Sequence, residues 1–107
     1  MVINRFEVWL INLDPSVGKE IKKARPCMVI SPDETNQWLE TIIIIPMTSV
    51  IHGYPTRLNC TFKNKKGQLA LDQLRAVDKS RLIKKLGVMD KSTSKETCKL
   101  LNELFEY

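Results

Sequence analysis

Arg25 stands directly before Pro26 and the apolar run Cys27 to Ile30, while Thr48 and Ser49 close a second apolar run through Ile45-Pro46-Met47. In each piece a polar cluster abuts residues too apolar for anything but a buried strand. If the two strands are neighbours, a guanidinium and two hydroxyls meet at one rim of a sheet. A planar donor fork with neutral hydroxyl donors beside it matches a phosphate or a phosphorane better than a metal or an apolar ligand.

The elements that must hold such a rim have to fit in 107 residues, enough for one domain over 1–107. A hydrophobic share of 43% and a charged share of 27% are those of an ordinary globular protein. The formal net charge is +5. Residues 93–107 hold two lysines against three glutamates, net −1, which leaves +6 on residues 1–92. That excess suits a polyanionic partner. Cys27, Cys60 and Cys98 are widely spaced and form no zinc pattern with the single histidine. Cys27 and Cys60 read as small core residues, and free thiols point to a reducing cytoplasm. The first residues carry no long apolar run, so no signal peptide is expected, and Ile42 to Met47 is too short to span a bilayer.

Phe6 to Leu13 alternates loosely and is β-rich, so it reads as the first strand. Val17 to Ala24, with three lysines, reads as an exposed loop before a second strand, Pro26 to Ser31. Pro32 to Gln37 reads as a turn. Leu39 to Met47 is a third strand whose four consecutive isoleucines imply a central place with both faces buried. Thr56 to Phe62 and Gln68 to Val77 are a fourth and a fifth strand around the loop Lys63 to Gly67. Arg81 to Val88 is a last strand or a mixed segment. Thr93-Ser-Lys-Glu96 has the spacing of a capping box, and Cys98, Leu101 and Phe105, with Leu100 and Leu104, form a helical stripe behind it. Short strands, regular breakers and one terminal helix predict a mainly β fold: a small barrel or strongly bent antiparallel sheet with a C-terminal α-helix.

Several pieces together resemble the MazF/PemK family of bacterial toxins: Val8 to Glu20, Arg25-Pro26-Cys27-Met28-Val29-Ile30-Ser31-Pro32, Ile45 to Ser49, Leu71 to Leu82, and Leu86-Gly87. The ordered set is specific where any single fragment is weak. One departure is Lys22 and Lys23, where the family's loop usually carries small residues, often glycine. The resemblance implies an SH3-like barrel with a C-terminal helix. It also implies a homodimeric, cofactor-free and metal-independent endoribonuclease that cuts single-stranded RNA and is neutralised by an antitoxin.

By that resemblance Arg25 and Thr48 form the catalytic pair, in a reaction where the ribose 2′-OH attacks the adjacent phosphate. Arg25 suits a charge clamp and is awkward as a base, because a guanidinium keeps its proton and has no lone pair to accept another. Glu20 is a solvated loop charge or a proton carrier. His52, the only histidine, is an acid–base group or a surface turn residue. Ser49 is a second phosphate donor or a turn cap. Lys19, Lys22 and Lys23 contact flanking phosphates or are merely solvated. Lys63, Lys65 and Lys66 read as a solvated turn. Trp38 and Tyr54 are the stacking candidates, and Trp9 reads as core. Gln73 and Arg75 line the groove, unless Arg75 pairs with Asp72 or Asp78 for structure alone. Two rivals come from other classes: a CcdB-like poison of DNA gyrase with the same barrel, and a non-catalytic SH3-like RNA-binding module. The spacing from Arg25-Pro26 to Thr48-Ser49 favours the ribonuclease. The charge of residues 1–92 suits an acidic, partly disordered antitoxin segment lying across the groove.

Overall fold

The computed structural model describes residues 1–107. Seven strands are present: β1 Glu7–Asn12, β2 Ala24–Val29, β3 Thr41–Thr48, β4 Arg57–Phe62, β5 Lys65–Ala70, β6 Arg75–Asp78 and β7 Leu82–Val88. Two α-helices join them, α1 Asp33–Trp38 and α2 Lys91–Leu104. Every pairing is antiparallel. The order across the sheet is β4-β5-β3-β2-β1-β7, and β6 pairs with β3 off that path.

β3 is the hub, as its isoleucines predict, and it changes partner along one edge. Thr41 to Ile44 pair with β6, whereas Met47 and Thr48 pair with β5. Pro46 falls in the gap between these pairings, where no ladder bond on that edge is lost to its missing N–H. Alternate side chains of the inner strands feed two cores. Trp9, Ile11, Cys27, Val29, Ile42 and Ile44 belong to one. Val8, Met28, Ile45, Cys60 and Leu69 belong to the other, against which α2 lays Cys98, Leu100 and Leu101. Three of the four isoleucines are buried; Ile43 is 40% exposed. Burial pushes the Cys27 thiol up to about 12, so it is an inert filler.

Four expectations need correction. Pro32 to Gln37 is mostly helical: Asp33–Trp38 forms α1, with Asn36 buried inward. The fifth strand is two, because a 3-10 turn at Leu71–Gln73 breaks it and hands the chain from β5 to β6. α2 is capped by Asp90, whose side chain accepts the Thr93 N–H at 2.9 Å, and not by Thr93. Phe105 lies past the helix end, 71% exposed, outside the stripe it was expected to complete. The undecided segment Arg81 to Val88 supplies β7.

A buried carboxylate ties the entry strand to the last one. Glu7 accepts from the Asn4 N–H and the Trp9 indole at 3.0 Å each and pairs with Lys85 at 2.9 Å. Burial alone would raise its pKa; the Asn4, Lys85 and Trp9 bonds outweigh that and lower it.

The β4–β5 hairpin turns on Lys63 and Asn64, both at positive φ, 50° and 65°, as a two-residue type I′ turn requires. Gly67 then brings β5 hard against β3: a Cβ there would lie 2.7 Å from the Thr48 carbonyl oxygen. Gly67→Ala is therefore expected to destabilise by about 1–3 kcal/mol, while Gly53→Ala, where a Cβ meets nothing within 4 Å, stays near neutral. Equal melting temperatures for the two variants would refute this account of the β3–β5 contact.

Candidate active site

β2 and β3 pair through Cys27↔Pro46, Met28↔Ile45 and Val29↔Ile44. Carried two residues further, that register sets Arg25 across from Thr48. Opposed residues of an antiparallel pair share a face, and these two line one pocket of about 240 Å³ with Ser49, Phe62, Lys65 and Lys66.

Each donor there is aimed by a local bond. Arg25 Nε donates to the Lys22 carbonyl at 3.2 Å, which leaves the terminal nitrogens of the fork for a ligand. The Val50 N–H donates to Thr48 Oγ1 at 3.1 Å, so the hydroxyl hydrogen remains available to donate. Lys65 and Lys66 raise the cations to three, and no carboxylate or imidazole lines the pocket. Three cations and hydroxyl donors without an acid are suited to a dianionic phosphorane. Nowhere do three His, Cys, Asp or Glu side chains gather as metal ligands would.

Glu20 is not in this pocket. It lines another, of about 310 Å³, with Pro46, Gln73 and Arg75. Its carboxylate accepts the Val17 N–H at 2.6 Å and so closes the β1–β2 loop on itself. Gln73 holds that loop from outside: its Oε1 accepts the Ile21 N–H at 2.7 Å and its Nε2 donates to the Lys19 carbonyl at 3.4 Å. Arg75 pairs with neither Asp72 nor Asp78; it donates to the Leu13 carbonyl at 3.3 Å. Asp72 is taken by Arg57 through a fork of 2.7 and 3.2 Å, which holds its carboxyl below the usual range. Asp78 caps the turn at Ser80. Lys19, Lys22 and Lys23 are exposed, and none pairs with a carboxylate.

His52 also lies outside the Arg25 pocket. Its ring stacks on Tyr54, 4.7 Å between centroids and 5° from parallel. Arg57 sits 5.4 Å from the Tyr54 ring, so Tyr54 is braced while 53% exposed. Trp38 is 79% exposed but stands before β3, at the opposite end of that eight-residue strand from Thr48. Trp9 is core, as expected.

A profile of the family described as "PemK-like, MazF-like toxin of type II toxin-antitoxin system" matches residues 4–105. The chain belongs to this family. It is 31% identical over 96 residues to Endoribonuclease EndoA of Bacillus subtilis (strain 168), covering 84% of this chain and 83% of that protein. The MazF of Deinococcus radiodurans superposes with a TM-score of 0.87 at 25% identity, over 100% of this chain and 99% of the other. A mycobacterial endoribonuclease, solved with its cognate antitoxin, shares the fold at a TM-score of 0.79 and 18% identity, over 94% and 92%. A bent seven-stranded sheet with a C-terminal helix is thus the family's architecture.

Lys65 and Lys66, expected in a solvated turn, are indeed exposed; what the sequence did not reveal is that they line the Arg25 pocket. Their signal lay in the β4–β5 hairpin, but the pairing of that hairpin with β3 is non-local. Because Gln73 bonds the β1–β2 loop at two points, Gln73→Leu should speed amide exchange across residues 17–23 and cost less than about 1.5 kcal/mol globally. Unchanged exchange at Ile21 would show that the clamp holds nothing.

Proposed function

We propose that this toxin cuts single-stranded RNA without a divalent metal, at the pocket of Arg25 and Thr48. The observation that carries the reading is the pocket's composition, three cations and two hydroxyls with no carboxylate. The 2′-oxygen attacks phosphorus and loses its proton, the P–O5′ bond breaks, and O5′ takes up a proton. The products are a 2′,3′-cyclic phosphate and a 5′-OH. Arg25 forks onto the phosphoryl oxygens as charge grows, Thr48 donates to the same centre, and Lys65 and Lys66 neutralise the strand beside it. With no carboxylate or imidazole in the lining, these residues favour stabilisation of the phosphorane over strong side-chain base catalysis.

Two further features support the partners. β7 is an edge strand, and β7 with the end of α2 leaves Ile83, Val88, Leu104 and Phe105 exposed, which suits a homodimer. The unpaired lysines and Arg25 suit an acidic antitoxin segment that competes with RNA. No helix is long and apolar enough to cross a membrane.

A long RNA incubated with the protein in EDTA should be cut, with 5′-OH ends at the breaks. Dependence on added magnesium, or 5′-phosphate ends, would overturn the mechanism. Block of DNA supercoiling with RNA left intact would favour the gyrase poison instead. Arg25→Ala and Thr48→Ala should each lose about 100-fold or more in rate while folded, since one aimed donor is worth about 2.7–4 kcal/mol. Arg25→Lys should rescue poorly, because a point charge cannot form the fork, and His52→Ala should lose little. A folded Arg25→Ala protein with wild-type rates would remove Arg25 from the mechanism.

The two lysine groups can be separated by salt. Each phosphate neutralised on a single strand adds about 0.7 to the slope of log K against log salt. Replacing Lys65 and Lys66 by alanine should lower that slope, measured on an inactive Thr48→Ala background. So should replacing Lys19, Lys22 and Lys23 together. A slope unmoved by either set would mark that set as merely solvated.

A further inference from the structure

We propose that the groove next to the Arg25–Thr48 pocket seats one nucleotide adjoining the cleaved bond, and that Asn59 reads its base, preferring a keto edge over an amino edge. The inference rests on the ribonuclease reading above. The groove, of about 540 Å³, is lined by Ile51, Asn59, Thr61, Lys66, Gly67 and Thr93 among others. Lys66 and Gly67 belong to the catalytic pocket as well, so the two spaces share a wall. The strand register gives the spacing. Thr48 pairs with Gln68 and Gln68 with Asn59, which puts Asn59 two strands from Thr48, about 10 Å. A nucleotide bonded to the phosphate held at Thr48 can reach it.

A chain of bonds fixes which end of the Asn59 amide is free. The His52 N–H donates to Gln68 Oε1 at 3.1 Å, which settles the orientation of the buried Gln68 amide. Gln68 Nε2 then donates to the His52 carbonyl at 2.9 Å and to Asn59 Oδ1 at 2.8 Å. With its oxygen engaged, Asn59 has only Nδ2 to offer, and Nδ2 bonds nothing within the chain. Its two N–H groups meet acceptors at O4 of uracil or O6 and N7 of guanine. Against the amino group of adenine or cytosine they would face donor to donor. Exposed Ile51 supplies an apolar surface against which a base can lie. An acidic peptide fits the groove less well, since Lys66 is its only cation and Asp90 is part of its lining.

The test is a randomised RNA library cut by each protein, with the break sites sequenced. At one position flanking the cut, the wild type should favour uracil and guanine over adenine and cytosine by about five- to tenfold, the worth of a single well-made hydrogen bond. Asn59→Asp keeps an acceptor for Gln68 but presents a second acceptor to the groove, so the preference at that position should invert while the others hold. Gln68→Glu removes the donor that engages Asn59 Oδ1. The amide then turns over, and the same inversion should appear with Asn59 untouched. Asn59→Leu, at an exposed strand position, should flatten the preference and decides the matter should Asn59→Asp be too slow to profile. If the wild type cuts RNA with a profile that Asn59→Asp and Asn59→Leu leave unchanged, this inference falls and the ribonuclease reading stands. If the wild type cuts no RNA, both fall together.

Discussion

The whole site hangs on the exchange of partners along one edge of β3. Up to Ile44 the strand is held by β6, and from Met47 by β5. Only two residue pairs make the second contact, so the Thr48 end of β3 is held by few ladder bonds on that edge. What compensates is closeness. Gly67 lets the β5 backbone approach the Thr48 carbonyl within the space a Cβ would fill. Buried Gln68, the cross-strand partner of Thr48, bonds the segment that follows Ser49. Arg25 is fixed from the other edge, through the β2–β3 register. β2, β3 and β5 must therefore all be in place for Arg25, Thr48 and the hairpin lysines to line one pocket.

That arrangement carries an electrostatic cost. Arg25, Lys65 and Lys66 share one pocket without a counter-ion in its lining, and like charges so placed oppose folding. The hairpin that delivers the two lysines also holds Lys63 at positive φ, a conformation costing a non-glycine residue about 1–2 kcal/mol. Carboxylates are spent elsewhere: Asp72 on Arg57, Glu7 on Lys85, Asp90 on the start of α2. The site is left electropositive while ion pairs and caps hold the frame around it, which is how binding energy for an anion is stored in a folded protein.

Legibility in the sequence followed the range of the interaction. Alternation in Phe6 to Leu13 and the isoleucine run marked strands correctly, because burial of one or both faces is written into each strand's own residues. The rim of Arg25 and Thr48 was legible for the same reason: each sits at the end of an apolar run, and the two runs are sequential strands that pair. Lys65 and Lys66 were not, since nothing within Lys63 to Gly67 says that its hairpin will lie along β3. Asp90 was passed over as the cap because Thr93 and Glu96 satisfy the capping-box spacing one turn later. Arg75 was offered two nearby acids, yet Asp72 is claimed by Arg57, fifteen residues away. For the hairpin lysines and Arg75 the deciding partner lies far off in sequence, whereas the Asp90 cap is local and was hidden by a second signature one turn on.

The β1–β2 loop shows what such long-range bonds do for function. Its three lysines suggest a flexible basic arm, and an arm of that kind would have to be ordered when RNA binds. Here Glu20 closes the loop from within, Gln73 clamps Ile21 and Lys19 from the adjoining 3-10 turn, and Asp14 accepts the Lys23 N–H at 3.1 Å. Lys23 is held at a φ of 68° as a result. The backbone is set before any ligand arrives, and only the lysine side chains remain to be ordered. Lys22 is part of the same frame, because its carbonyl accepts from Arg25 Nε. The loop thus reaches the Arg25 pocket through its backbone, by orienting the Arg25 fork, whatever its ammonium groups contribute. Gln73 and Glu20 do not line the Arg25 pocket, and the two cavities share no lining residue; what joins them is this backbone path, from the clamped loop to the Lys22 carbonyl and the Arg25 fork.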